Sequence, residues 1–276
     1  MYCTCPAERS IGGLLFDFTD MIERIIKYVK SLEKEAIPQL SINCVIFGFH
    51  EKTLKVIINK IALGQAMMRV LPGGYVKQSE DLTDAVQRIV TESTGLEKIL
   101  FKQFAVFGEA SRSFEKEFKS LRKSMHARDA EVLKWFSKRF ISICYLALVD
   151  FNKIELKPTQ FLEAAQWLSV DDAKTLAMDH SDIVESARDS LLKELPYSPI
   201  ASNLLRPKFT LPELHALVEG ILGRTIDRPN FRRKILKSDM IVKVGQDNSN
   251  KRRPADLYAF KHGKKTSLIE EYKFGF

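Results

Sequence analysis

Few folds accommodate residues 71–96. The run Leu71-Pro72-Gly73-Gly74 breaks the chain, and a helical pattern then fills 81–94 until Gly95 stops it, where a left-handed backbone favours glycine. Glu80 follows Gly74 by six residues, Arg88 follows Glu80 by eight, and Glu92 lies one helical turn beyond Arg88. A glycine lead-in, charged residues at set intervals and a glycine stop describe a strand, a loop and a helix in register. The register is far more specific than any glycine pair.

The flanking segments alternate between the two periodicities. Ile22, Ile25, Ile26, Val29 and Leu32 recur at helical spacing over 17–36. Residues 41–49 and 54–59 are β-branched runs separated by His50-Glu51-Lys52-Thr53, a hairpin signal, and 99–107 and 140–151 read as further strands. Between these last two lies a charged, largely helical insertion, 113–138, with Phe114, Phe118, Leu121 and Met125 on one stripe. A short strand and turn follow at 163–169 and 171–177. Next comes a helix at 182–194 whose Asp182-x-x-Glu185 opening reads as a capping box. Pro196-Tyr197-Ser198-Pro199 marks a boundary, beyond which helices at 211–222 and 228–238 precede strands at 241–244 and 257–260.

Composition narrows the classes. The chain has 276 residues, 45% hydrophobic and 28% charged, too apolar for disorder. The longest largely apolar stretch, 140–149, is too short for a membrane-spanning helix, so no membrane partner is expected. Residues 1–10 hold no basic n-region, and residues 1–20 read as a loose arm or a misplaced start. Four cysteines (Cys3, Cys5, Cys44, Cys144) at unrelated spacings give neither a disulfide framework nor a zinc motif, which suits a cytoplasmic protein. The charge is uneven. Residues 205–276 carry 16 Lys and Arg against 8 Asp and Glu, whereas residues 1–204 carry 27 of each, so the whole net +8 sits on the last quarter. A neutral body with a basic end suits a polyanionic partner; the alternative is a solubilising tail.

The segment Gly74-x5-Glu80-x7-Arg88-Ile89-Val90-Thr91-Glu92-Ser93-Thr94-Gly95-Leu96 resembles the Nudix box, G-x5-E-x7-R-E-U-x-E-E-x-G-U with U aliphatic. The resemblance implies a Nudix α/β/α sandwich. It also implies a divalent metal held by glutamates at the three positions occupied here by Ile89, Glu92 and Ser93. Only one carboxylate of three remains, a poor anchor for magnesium. No metal or other cofactor is therefore expected, and Gly74, Glu80, Arg88, Glu92 and Gly95 read as a degenerate box whose charged members form a retained scaffold network. A working pyrophosphohydrolase of a nucleoside diphosphate derivative is the alternative.

In the basic end, Asp227 is placed to cap the second helix and Pro229 suits its first turn. At 100° per residue Phe231 and Ile235 face inward, Asn230, Arg233 and Lys237 face the opposite way, and Arg232 and Lys234 flank them. Asn and Arg on an outward strip are suited to base edges in a groove, and Arg252 and Arg253, in the loop between the last two strands, to the DNA backbone. Two helices and a hairpin with a basic tip make a winged helix-turn-helix. The alternative is a solvated face of a protein-binding module. His215 and His262 carry no functional reading.

The two halves together resemble bacterial Nudix-related transcriptional regulators of the NrtR and AraR type, through residues 209–214, 230–235 and 253–260. The resemblance implies a homodimeric regulator whose Nudix domain senses a small-molecule effector, ADP-ribose-like or a sugar, and whose winged domain binds double-stranded operator DNA; a non-catalytic adaptor is a third reading. The expected organisation is an α+β chain: an N-terminal arm and helix (1–37), a Nudix-like domain (38–195) carrying the insertion, a linker (196–208), a winged helix-turn-helix (209–262) and a tail (263–276). By family analogy Phe107, Arg112 and Arg139 are the candidates for the effector pocket.

Overall fold

The β-branched runs on either side of His50 pair as a hairpin. β1 (Ala36–His50) and β2 (Thr53–Leu63) run antiparallel, with Phe47 opposite Val56 and His50 opposite Thr53. Only Glu51 and Lys52 form the turn, both at positive φ (49° and 62°), the two-residue geometry that matches strand twist. The computed structural model describes residues 18–63, 66–95, 97, 99–114, 134–154, 156, 164–194, 204–238, 240–247 and 254–261.

Around this hairpin a seven-stranded sheet is built from β3 (Ala66–Val70), β4 (Gly73–Lys77), β5 (Phe101–Phe107), β6 (Ile141–Leu148) and β7 (Ala164–Ser169). Its order is β3-β2-β1-β6-β5, with β4 also paired to β1 and β7 to β2. β1 and β6 are parallel, Leu40 opposite Ile141 through Phe47 opposite Leu148. β3 and β4 escape the sequence pattern because they are short and interrupted by Leu71-Pro72. In β4, Gly73 is obligatory: a Cβ there would lie 2.6 Å from Asn43 Oδ1 and 2.7 Å from the Ile42 carbonyl oxygen.

The period-2 alternation of β1 feeds two cores. Ile42, Cys44 and Ile46 pack with Ala85, Val86, Ile89 and Val90 of α2 (Leu82–Thr94), which ends at Gly95 with φ 73°. Val45 and Phe47 pack on the other face with Ile183, Val184, Ala187 and Leu191 of α3 (His180–Glu194). Helices on both faces of the sheet make the expected sandwich. One boundary moves. α3 starts two residues before the predicted 182, with the Ile183 amide donating to the Asp179 carbonyl at 3.0 Å. Asp182 therefore lies inside the first turn and forms no capping box with Glu185, which pairs with Arg188 instead. The start is pulled forward by tertiary contacts, since the Leu71 amide donates to His180 Nδ1.

α1 (Phe18–Glu35) closes one end of the sandwich, its Val29 and Leu32 buried with Trp135 and Phe140 beside the base of the insertion. Most of that insertion, 115–133, with its Phe118, Leu121 and Met125, lies outside the described residues. The C-terminal module contains α4 (Leu211–Leu222), α5 (Arg228–Lys237), β8 (Ile241–Asp247) and β9 (Ala255–Phe260), the last two an antiparallel hairpin. Thr210 and Glu213 form a full capping box on α4, and the Asp227 side chain accepts the Asn230 amide at the start of α5.

The module is not hung on a bare linker. Leu204, Phe209, Leu214, Leu217 and Ile221 belong to the same buried cluster as Val45, Phe47 and Leu54. At Gly220 a Cβ would stand 3.0 Å from Phe49 Cε2 and 3.2 Å from the Lys52 carbonyl oxygen, so α4 rests directly on the β1–β2 turn. A body ending near residue 199 would expose part of this cluster to water.

Candidate functional site

On the loop and helix 74–95, polar groups are tied to one another. Arg88 donates from Nε to Glu80 Oε2 (3.0 Å) and from Nη2 to Glu80 Oε1 (2.6 Å), a bidentate fork. The same Nη2 also donates to the Tyr75 carbonyl oxygen at 3.0 Å, and the Lys77 amide donates to Glu80 Oε1 at 2.8 Å. The hydrogen bonds from Arg88 hold the Glu80 carboxyl below the usual range, and Glu80 in turn raises Arg88. Glu92, more exposed, stands 3.8 Å from Arg88 Nη1.

The other two metal positions cannot contribute carboxylates. Ile89 is buried in the core shared with β1, and a Cβ on Gly74 would meet it at 3.2 Å. Ser93 donates its hydroxyl to the Ile89 carbonyl oxygen of its own helix at 2.8 Å. Two carboxylates with a guanidinium paired to both do not fit an octahedral magnesium, which needs converging oxygens. Among the described residues no group of three or more His, Cys, Asp or Glu is placed to hold a metal ion.

Arg88, Ile89, Glu92 and Ser93 form part of the wall of a cavity of about 830 Å³, a size typical of ligand pockets. Its walls come from α1, β1–β4, α2, α3 and both flanks of the insertion. Tyr28 of α1 reaches in from one side, its hydroxyl pushed up to about 12 by burial. Asn43 donates through Nδ2 to Ser142 Oγ (2.8 Å), and Ser41 donates to the same hydroxyl (3.1 Å). His180 is buried and burial pushes it down to about 4, so the ring is neutral at physiological pH. Lys27, Lys77, Arg88 and Arg112 bring positive charge, and Glu92 negative charge, to the same cavity.

The three residues proposed for the pocket part company. Arg112 lines the cavity, donating through Nε to Asp179 Oδ2 (2.6 Å) and through Nη1 to the Phe140 carbonyl oxygen (3.4 Å). Phe107 does not line it; its ring packs on the core beneath α3, because strand alternation turns it to the other face. Arg139 does not line it either; it is exposed and bonds the Gly108 carbonyl oxygen across the strand ends. Sequence reasoning missed Tyr28, Asn43, Asn59 and His180. The available signal was an Asn within each of two strand runs rich in β-branched residues, Asn43 and Asn59.

On the C-terminal module, Phe231 and Ile235 are buried, and Arg232, Arg233 and Lys237 are exposed on α5. Asn230 and Lys234 are half-buried, and Asn230 Oδ1 accepts a hydrogen bond from Arg233 Nη2 at 3.0 Å. Arg252 and Arg253 lie outside the described residues. His215 is structural: its Nε2 stands 2.9 Å from the Ile226 carbonyl oxygen and its ring meets Phe231 edge-on, joining α4 to the start of α5.

Comparison with known proteins follows the two halves. Residues 38–187 match the NUDIX domain family, and residues 201–260 match the NrtR DNA-binding winged helix domain. Over 244 residues the chain is 26% identical to the ADPR responsive transcriptional repressor NtrR of Acinetobacter baylyi, covering 87% of this chain and 86% of that protein. It is similar in structure to Shewanella oneidensis NrtR, with a TM-score of 0.56 and 26% identity over 81% of this chain and 94% of the other. The same protein complexed with a 27mer DNA gives 0.54 at the same identity and coverage.

Proposed function

Since this chain belongs to the NUDIX domain family and continues into a DNA-binding winged helix of the NrtR type, we propose that it is a transcriptional regulator whose Nudix domain senses ADP-ribose or a close relative and does not hydrolyse it. The observation that carries the reading is a wall of an open cavity on which two of the three metal positions hold no carboxylate. Ile89 fills the place of one metal carboxylate with hydrocarbon, while the space above α2 remains wide enough for a nucleotide sugar. The Acinetobacter relative, named as ADPR responsive, supports the choice of effector over a free pentose.

A contiguous path joins the cavity to the DNA-binding module. Arg112 in the cavity wall grips Asp179 at the head of α3. Near the other end of α3, Arg188 stands 3.7 Å from Asp171, and a Cβ on Gly223 at the end of α4 would meet both side chains. An effector that favours one setting of α3 biases the placement of α4 and α5, and by linkage DNA affects effector affinity equally. In a homodimer this changes the spacing of two recognition helices, so one state matches the operator half-sites better. Asn230, Arg232, Arg233, Lys234 and Lys237 form the groove-facing set in this reading, with Arg252 and Arg253 on the wing.

The test uses the full chain and a duplex it selects from a random DNA pool. A mobility shift that ADP-ribose alters, together with no release of AMP from ADP-ribose in magnesium, is the expected result. Magnesium-dependent turnover abolished by Glu92→Gln would establish a hydrolase instead.

A further inference from the structure

Among the described residues lining the cavity, Asn59 has a buried side-chain atom without a hydrogen-bond partner. Asn59, in β2, is only 4% exposed, and the unpartnered atom is its Oδ1. Buried acceptors are nearly always satisfied, so an orphan on a cavity-lining side chain marks the place of a missing donor.

A complementary donor stands close by in the fold. Asn59 is directly opposite Val70 across the β2–β3 ladder, and the next residue, Leu71, donates its amide to His180 Nδ1 at 3.0 Å. That bond fixes the ring proton on Nε2, so His180 presents a donor and cannot reverse its role. Val70 and Leu71 line the same cavity, as do both Asn59 and His180. The cation beside His180, Arg112, is paired with Asp179, whereas the cations Lys27, Lys77 and Arg88 come from α1, β4 and α2.

We propose that Asn59 and His180 form a specificity subsite for a neutral donor–acceptor edge of the effector, that of a nucleobase with an exocyclic amine beside a ring nitrogen. The amine donates to Asn59 Oδ1 and the ring nitrogen accepts from His180 Nε2. The phosphates then lie toward Lys77 and Arg88, because a phosphate oxygen can give Asn59 Oδ1 no proton. The inference rests on the cavity being the effector site. It adds a discrimination. A hypoxanthine base presents the reversed edge, a carbonyl beside a ring N–H. Rotating the Asn59 amide would satisfy the carbonyl but leave two donors opposed at the pinned His180.

Calorimetric titration of the full chain with ADP-ribose and with its hypoxanthine analogue tests this. The analogue is expected to bind about tenfold more weakly, the scale of one hydrogen bond lost with its partner left unpaired. Asn59→Leu should weaken ADP-ribose by a similar factor, reduce the preference between the two bases, and leave Tm unchanged or higher because it removes the orphan acceptor. Asn59→Ser, whose hydroxyl both donates and accepts, should also reduce the preference and serves if the leucine variant misfolds. Equal affinity of the wild type for both bases overturns the subsite, as does a folded Asn59→Leu protein with unchanged affinity. Absence of any ADP-ribose binding by the wild type would instead defeat the effector reading, and the subsite with it.

Discussion

Helices α2 and α5 both carry arginines, and the two use them in opposite ways. On α2, Arg88 is spent internally: its guanidinium bonds Glu80 twice and the Tyr75 carbonyl once. On α5, Arg232, Arg233 and Lys237 project from a helix whose inward face is Phe231 and Ile235. A charge satisfied within its own loop holds architecture; a charge left toward solvent on a helix seated by two apolar anchors is available to a polyanion. The charged residues of the loop and helix 74–95 are tied to one another, and the module beyond bears the chain's excess positive charge.

The comparison breaks most severely at the anchor. Phe231→Ala removes a fully buried ring packed on His215, and a cost of roughly 3–5 kcal/mol in stability is expected. DNA binding should fail through loss of the module, visible as an early unfolding transition rather than a change in salt dependence.

Arg88→Ala comes next. It strands Glu80, whose side chain is only 12% exposed, and the expected loss is on the order of 2 kcal/mol. The sign with pH follows from the lowered carboxyl of Glu80. Its contribution is present above the unfolded value of about 4.3 and is lost as pH falls through the lower folded value. Urea midpoints of wild type and variant should therefore differ at pH 7 and converge in acid. A constant gap would locate the effect in packing instead of in the ion pair.

Effects on DNA are smaller and separate by type. Arg233→Ala should cost roughly 1–3 kcal/mol and relax the choice of base at one operator position. Its hydrogen bond to Asn230 adds a condition: Asn230→Ala should reproduce part of the same loss, since Asn230 Oδ1 holds the guanidinium. Lys237→Ala should weaken all sequences about equally and lower the salt slope by about one per contact. Losses that do not depend on sequence for Arg233→Ala would make α5 a backbone clamp and erase its contrast with Lys237.

Local signals carried a good part of this molecule. Gly95 terminates α2 where its left-handed conformation is needed, and Asp227 caps α5 from within a few residues. The Asp182–Glu185 reading failed for the same reason those succeeded: a cap is local only when nothing distant competes. At α3 the bond from Leu71 to His180 spans more than a hundred residues of sequence and sets the start of the helix. Of the residues offered by family analogy, Arg112 lines the cavity, but the strand's alternation sent Phe107 to the opposite face.

By itself the sequence determined the loop–helix register at 74–95, the single carboxylate of Glu92 between Ile89 and Ser93, and the concentration of positive charge beyond residue 204. Each of these is a matter of residue type at a short, countable spacing. Only the tertiary structure decided that Tyr28, Asn59, Arg112 and His180 share one cavity, and that the core beneath α3 runs unbroken into α4. Those residues come from a helix, a strand, a loop and another helix, and no periodicity along the chain encodes which distant segments must exclude water together. Backbone pairing across β1, β2, β3 and β6 brings them within reach of one ligand.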